Sequence, residues 1–186
     1  MKTYALPPDP ETLAALNDLS CGVVSGVISK SNSDPPICFL FCLELSDGRW
    51  IELTAISQDL EYKFEVFALC ARRIEKPEHG VPVQLILPPS VCVTPLVTES
   101  WLDPGVPIDF PTYGSDPVMQ SSGIPGSAPA TASMSCQYLG GVEIACADGS
   151  AMVIATGVFP CSLHVAGYCE DMYYDRNGYV AFAGEA

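Results

Sequence analysis

The chain has 186 residues, enough for one ordinary domain or two small modules. Hydrophobic residues make up 48%, as in a globular protein, while charged residues at 16% fall below the roughly 25% usual in soluble domains. Twenty-two acidic against eight basic residues give a net charge of −14, which excludes the cationic surface that nucleic-acid binding requires.

The charge is also uneven. Between Pro77 and Asp175 there is no Lys or Arg, and that span carries ten acids. Such a surface attracts a basic protein partner and speeds encounter with it; solubility alone is the competing explanation. Nine cysteines, an odd number, are scattered through apolar segments. The N-terminus, Met1-Lys2-Thr3-Tyr4-Ala5-Leu6, has no apolar core of a leader, and no run approaches about 18 apolar residues. The expectation is a reducing cytoplasm with no membrane contact, the cysteines serving as small buried hydrophobes.

The first element in chain order is a short helix. Asp9 is its N-cap, Pro10 its first residue, and Glu11 sits at the positive end of the dipole. Leu13, Leu16 and Leu19 are its expected apolar stripe. A helix this short must lean on a sheet. Cys21 to Ser29 alternates loosely as a strand, followed by a polar loop over residues 30–36.

A β-hairpin comes next. Phe39, Phe41, Leu43 and Leu45 alternate on one arm, and Ile51, Leu53 and Ala55 on the other. A two-residue Asp47-Gly48 turn would pair Leu43 with Glu52 and put a carboxylate on the apolar face. A three-residue Ser46-Asp47-Gly48 turn pairs Leu43 with Ile51 and Phe41 with Leu53, so this register is the better one. Tyr62, Phe64, Val66, Ala68 and Cys70 then alternate as a third strand, and Arg72 to Lys76 is the one basic patch. Glu78-His79-Gly80 reads as a turn, and strands over residues 83–87 and 91–97 are broken by Pro88-Pro89.

Residues 103–135 change composition, with Pro, Gly, Ser, Ala and Thr dominant. They read as a junction or a long surface loop between a larger module, 1–102, and a smaller one, 136–186, which could also pack together as one domain. Beyond the junction, strand, Asp-Gly turn and strand recur at an offset of 101. Asp148-Gly149 takes the place of Asp47-Gly48, pairing Ile144 with Met152 and Val142 with Ile154. An internal pseudo-duplication explains this, as does chance recurrence of a common turn. Asn177-Gly178 sets a last hairpin between residues 172–174 and 179–182.

Chemistry-bearing motifs are sparse. Cys161, His164 and Cys169 are close enough to be weak metal candidates, but paired Cys-x-x-Cys knuckles are missing and a strand would point alternate side chains apart, so no metal or cofactor is expected. His79 and His164 are the only histidines available to a nucleophile, and there is no Gly-x-Ser-x-Gly elbow. Two halves each carrying Asp-Gly after an apolar strand resemble the duplicated aspartic proteases. Those enzymes need Asp-Thr/Ser-Gly, whereas Asp47 and Asp148 directly precede glycine as turn residues. Neither the phosphate-loop nor the dinucleotide glycine pattern occurs.

The best contact surface is the C-terminal cluster of Tyr168, Glu170, Asp171, Tyr173, Tyr174 and Asp175. Tyrosine offers area with a hydrogen-bonding tip, and carboxylates beside it select a basic partner. The expected fold is mainly antiparallel β, hairpin-rich, sandwich-like or in two β modules, with one short N-terminal helix. The expected function is a non-catalytic acidic binding protein, of the inhibitor or immunity type, for a basic protein partner. A homo-oligomeric structural or assembly subunit and a hydrolase without a readable motif are the alternatives.

Overall fold

The strands and the helix follow from local pattern, and the sheets from how that pattern is paired. A computed structural model describes residues 1–31, 38–60, 64–77, 83–86, 89–103, 119–156, 163–166 and 179–182. In chain order these form β1 (Lys2–Leu6), α1 (Pro10–Cys21), β2 (Val24–Ser31), β3 (Cys38–Leu45), β4 (Trp50–Asp59), β5 (Glu65–Ile74) and β6 (Val83–Ile86). There follow β7 (Ser90–Asp103), β8 (Met119–Gly123), β9 (Met134–Cys146), β10 (Ala151–Thr156), β11 (Leu163–Ala166) and β12 (Val180–Ala181). The protein is thus mainly β and mostly antiparallel, with one short helix.

Two sheets are present. The first runs β5–β4–β3–β2–β6, antiparallel throughout. The second is centred on β9, which pairs β7 on one side and both β10 and β1 on the other. β11 extends it beyond β10, and β8 and β12 line the far side of β7. Among the described residues only β1 pairs in parallel. The sheets are continuous, among the described residues, through the pair of Leu163 with Cys38.

The two Asp-Gly hairpins share one geometry. Leu43 pairs Ile51 and Phe41 pairs Leu53; Ile144 pairs Met152 and Val142 pairs Ile154. Gly48 and Gly149 take φ of +86° and +88°, the left-handed conformation a type I turn with a following bulge demands. Their N–H groups donate to Leu45 O at 2.9 Å and Cys146 O at 3.0 Å. Asp47 Oδ1 and Asp148 Oδ1 accept from the N–H groups of Arg49 and Ser150 at 3.1 and 2.9 Å. The carboxylates therefore fix the turns.

The main core gathers the alternate residues of both hairpins with Phe67, Leu69 and Ala71 of β5, Leu163 of β11 and Ala15, Leu16 and Leu19 of α1. Each large side chain taken from water contributes about 1.5–3 kcal/mol. A second core lies on the other face of β5. There Phe64, Val66 and Ala68 meet Leu102, Met134, Cys136 and Tyr138. Both faces of β5 are buried, so it carries a continuous apolar run, not a simple alternation.

Several expectations shift. The helix runs through Cys21, so β2 starts at Val24 and not at Cys21. Its N-cap is Asp9, whose Oδ1 accepts from Thr12 N–H at 2.8 Å. Its buried stripe is Thr12, Ala15, Leu16 and Leu19, flanked by buried Asp18, while Leu13 stays 42% exposed. Thr12 can be buried because its hydroxyl has work inside. Thr12 Oγ1 accepts from Ala71 N–H of β5 at 3.2 Å and donates to Asp9 Oδ2 at 2.9 Å. At the other end of the helix Ser20 Oγ donates to Val93 O of β7 at 3.3 Å. α1 thus lies against β5 and β7, its hydroxyls bonding to the backbone of both strands.

β5 extends to Ile74 and takes in Arg72 and Arg73, and β7 runs on to Asp103, well past residue 97. β1, and β8 inside the segment read as a junction, carry no sequence signal strong enough to stand out. Residues 78–80, the turn expected there, and residues 172–174, one arm of the expected last hairpin, lie outside the described residues. Val180 and Ala181 pair Val97 and Leu96 of β7.

Candidate functional site

The residues singled out from sequence fall unevenly on this framework. Tyr168, Glu170, Asp171, Tyr173, Tyr174 and Asp175 lie outside the described residues, as do Cys161 and Cys169. His164 sits in β11 opposite Ala155 of β10. Among the described residues no group of three or more His, Cys, Asp or Glu could hold a metal ion. Asp47, Gly48, Asp148 and Gly149 occupy the two turns described above.

The ionic feature that sequence reasoning missed lies where α1 meets the first hairpin. Asp18 is buried at 7% exposure and takes two arginines. Its Oδ1 accepts from Arg49 Nη1 at 2.7 Å, and its Oδ2 from Arg73 Nε. Arg49 reaches Asp47 as well, through Nε at 2.8 Å and Nη2 at 2.7 Å. One strand pair away, buried Glu52 accepts from Arg72 at 2.5 Å, the two residues standing directly opposite across β4 and β5.

The electrostatics follow from these partners. Hydrogen bonding from Arg73 first, then from Arg49, holds the Asp18 carboxyl below its ordinary value against the opposing effect of burial. Arg49 does the same for exposed Asp47, and Glu52 raises the Arg72 guanidinium. Among the described residues Arg49, Arg72 and Arg73 are therefore committed to carboxylates of the same chain. The basic patch read at residues 72–76 includes Arg72 and Arg73, which serve as ties between elements. The signal that could have revealed one of them was register: a β4–β5 pairing that sets Leu53 against Ala71 sets Glu52 against Arg72.

A second polar group lies beneath the loop between β8 and β9. Glu99 of β7 is 2% exposed, and one carboxylate oxygen accepts from Gly126 N–H at 2.5 Å. That bond pins the turn in which Ser127 N–H donates to Ile124 O. Nearby, Ser100 Oγ and Tyr138 Oη share a hydrogen bond of 2.8 Å. Burial, with a smaller contribution from the charge of Glu99, pushes the Cys136 thiol up to about 11, so it stays protonated at neutral pH and is no nucleophile.

The described polar clusters thus hold strands, helix and loop together. No family model, no curated protein and no solved structure matches this chain.

Proposed function

We propose that this protein is a non-catalytic acidic binding protein, of the inhibitor or immunity type, which engages a basic protein partner. The observation that supports the reading is the disposition of charge. Arg49, Arg72 and Arg73 are neutralised by Asp18, Asp47 and Glu52, so the net charge of −14 rests on the remaining side chains. The sequence between residues 77 and 175 holds ten acids, buried Glu99 among them, and no Lys or Arg, and this excess gives the partner its sign. Tyr168, Glu170, Asp171, Tyr173, Tyr174 and Asp175 supply the densest combination of aromatic area and negative charge, and we assign the contact to them.

The test is capture of the tagged protein with its partner at low salt, followed by a wash at rising salt. A single stoichiometric basic protein that elutes with salt, and is lost when Glu170, Asp171 and Asp175 are all changed to Lys, is the expected result. Recovery of the protein alone as a salt-resistant multimer in sedimentation would overturn the proposal in favour of an assembly subunit.

A further inference from the structure

The two Asp-Gly turns share a backbone but differ in what holds their carboxylates. In the first, Arg49 holds Asp47 at both oxygens. Asp47 Oδ1 accepts from the Arg49 N–H at 3.1 Å, and Oδ2 from Nε at 2.8 Å and Nη2 at 2.7 Å. Arg49 Nη1 reaches on to Asp18 of α1 at 2.7 Å, which ties this turn to the helix. In the second turn both bonds fall on one oxygen. Asp148 Oδ1 accepts from Ser150 N–H at 2.9 Å and from Ser150 Oγ at 2.6 Å. Ser150 is neutral, and among the described residues no cation pairs with Asp148.

We propose that Asp148-Gly149 is a site of spontaneous isomerisation in the folded protein, and that Arg49 shields Asp47-Gly48 from the same reaction. The reaction joins an aspartate side chain to the next backbone nitrogen as a cyclic imide, and glycine favours it because no side chain obstructs that nitrogen. Space does not distinguish the two turns, since a Cβ at Gly48 or at Gly149 would meet nothing within 4 Å. The nitrogens do not distinguish them either. The Gly48 and Gly149 N–H groups donate to Leu45 O at 2.9 Å and Cys146 O at 3.0 Å. The difference lies in the carboxyl groups. A carboxylate is a poor electrophile, so the ring closes through the neutral acid. A guanidinium bonded to both oxygens opposes protonation by its charge and keeps the side chain from turning onto the glycine nitrogen. A hydroxyl and an amide on one oxygen carry no such charge and leave the other oxygen free to turn. The turns also differ in how they open. Each has one backbone bond outside its hairpin, Ser46 N–H to Val23 O at 2.8 Å and Ala147 N–H to Pro89 O at 2.9 Å. Only the first must also break an ion pair to α1.

The chemistry needs no co-reactant but water. The Gly149 nitrogen gives its proton to solvent and attacks Asp148 Cγ. A C–N bond forms, and the carboxyl oxygen leaves as water. Water then adds to one of the two ring carbonyls. Cleavage of the new C–N bond restores aspartate, whereas cleavage of the original peptide C–N bond leaves the chain running through Cγ as isoaspartate. One water is lost and one regained, with no change in mass or oxidation state. The product lengthens the main chain by one methylene in the turn and moves the carboxylate that bonds Ser150, so the β9–β10 hairpin loses the group that fixes its turn.

The experiment uses the full chain, aged at body temperature in mildly acidic buffer, digested with pepsin and mapped by electron-transfer fragmentation, which separates isoaspartyl from aspartyl linkages. The expected result is isoaspartate at residue 148 accumulating several-fold faster than at residue 47, with a transient species at Asp148 lighter by one water. In denaturant, where neither turn exists, the two sites should react at similar rates. Arg49→Ala should raise the rate at Asp47 towards that at Asp148. Equal rates at the two sites in the folded chain, a faster rate at Asp47, or no isoaspartate at residue 148 by the time the denatured chain has converted would overturn the proposal. A folded Arg49→Ala variant with Asp47 still unreactive would overturn the role given to Arg49. The comparison within the unsubstituted chain decides the matter even where that variant folds poorly.

Discussion

Replacing Thr12 with valine isolates the contribution of one hydroxyl to the docking of α1. Valine keeps the shape of threonine, so no cavity opens in a site that is 1% exposed. The backbone N–H of Ala71, a residue with no exposure, then loses its acceptor at 3.2 Å. A buried donor left unmade costs about 1–3 kcal/mol. The bond from Thr12 Oγ1 to exposed Asp9 adds about 0.5 kcal/mol, at the low end of the range for such bonds. The expected loss is about 1.5–3.5 kcal/mol, or a fall of about 0.75–1.75 M in the urea midpoint at a slope of about 2 kcal/mol/M. Thr12→Ser is the control, because it keeps the hydroxyl and removes one methyl worth about 0.8 kcal/mol. Hydrogen exchange at the Ala71 amide should quicken in the valine variant and not in the serine variant. Equal midpoints for the two variants, with unchanged exchange at Ala71, would refute the claim that the helix hydroxyl satisfies β5.

Other outcomes follow from the same geometry. Asp18 titrates below its ordinary value of 3.8 when folded, so its contribution is complete above that pH and is lost as pH falls through the lowered value; the gap in urea midpoint between wild type and Asp18→Asn should be constant near neutrality and close in acid. Gly48→Ala meets nothing within 4 Å and should lower stability by only the left-handed backbone cost, about 1–2 kcal/mol. Gly141→Ala should be the more damaging in thermal melts, since its Cβ would sit 2.6 Å from Ile154 O and 3.1 Å from Ala155 Cα, backbone atoms of β10 that cannot step aside. Iodoacetamide at pH 8 should label exposed Cys92 in the folded protein and spare Cys136 until denaturant is added, as read by peptide mass.

The parts of the fold that could be read in advance are those fixed by neighbours in sequence. Asp9-Pro10 places the helix start, and the three-residue turns set both hairpin registers: in the first the wrong register would have put Glu52 on the apolar face, and the same turn solution carries over to Asp148-Gly149. What escaped depends on distant partners. β1 has five residues and, among the described residues, pairs with β9, as β8 pairs with β7. Thr12 and Asp18 look like surface residues until Ala71 N–H, Arg49 and Arg73 are seen to meet them. The candidate contact cluster was legible as composition, Tyr beside Glu and Asp, and composition carries no geometry. Leu13 misled because the helical stripe is set one position earlier, by a threonine whose polarity is satisfied inside.

The pairing of β1 with β9 has a consequence for how the chain reaches its final form. Ser135 and Thr3, which touch across that pair, are 132 residues apart in sequence. β9 is also the partner of β7 and β10, so three strands share one late-arriving template. During synthesis the hairpins of β3, β4 and β5 can close at once, while β1 and β7 wait for most of the chain to emerge. High contact order of this kind slows folding and leaves strand edges open in the interval. The second sheet is expected to be the slow step, and a chain halted before β9 would leave β1 and β7 without the strand that pairs them.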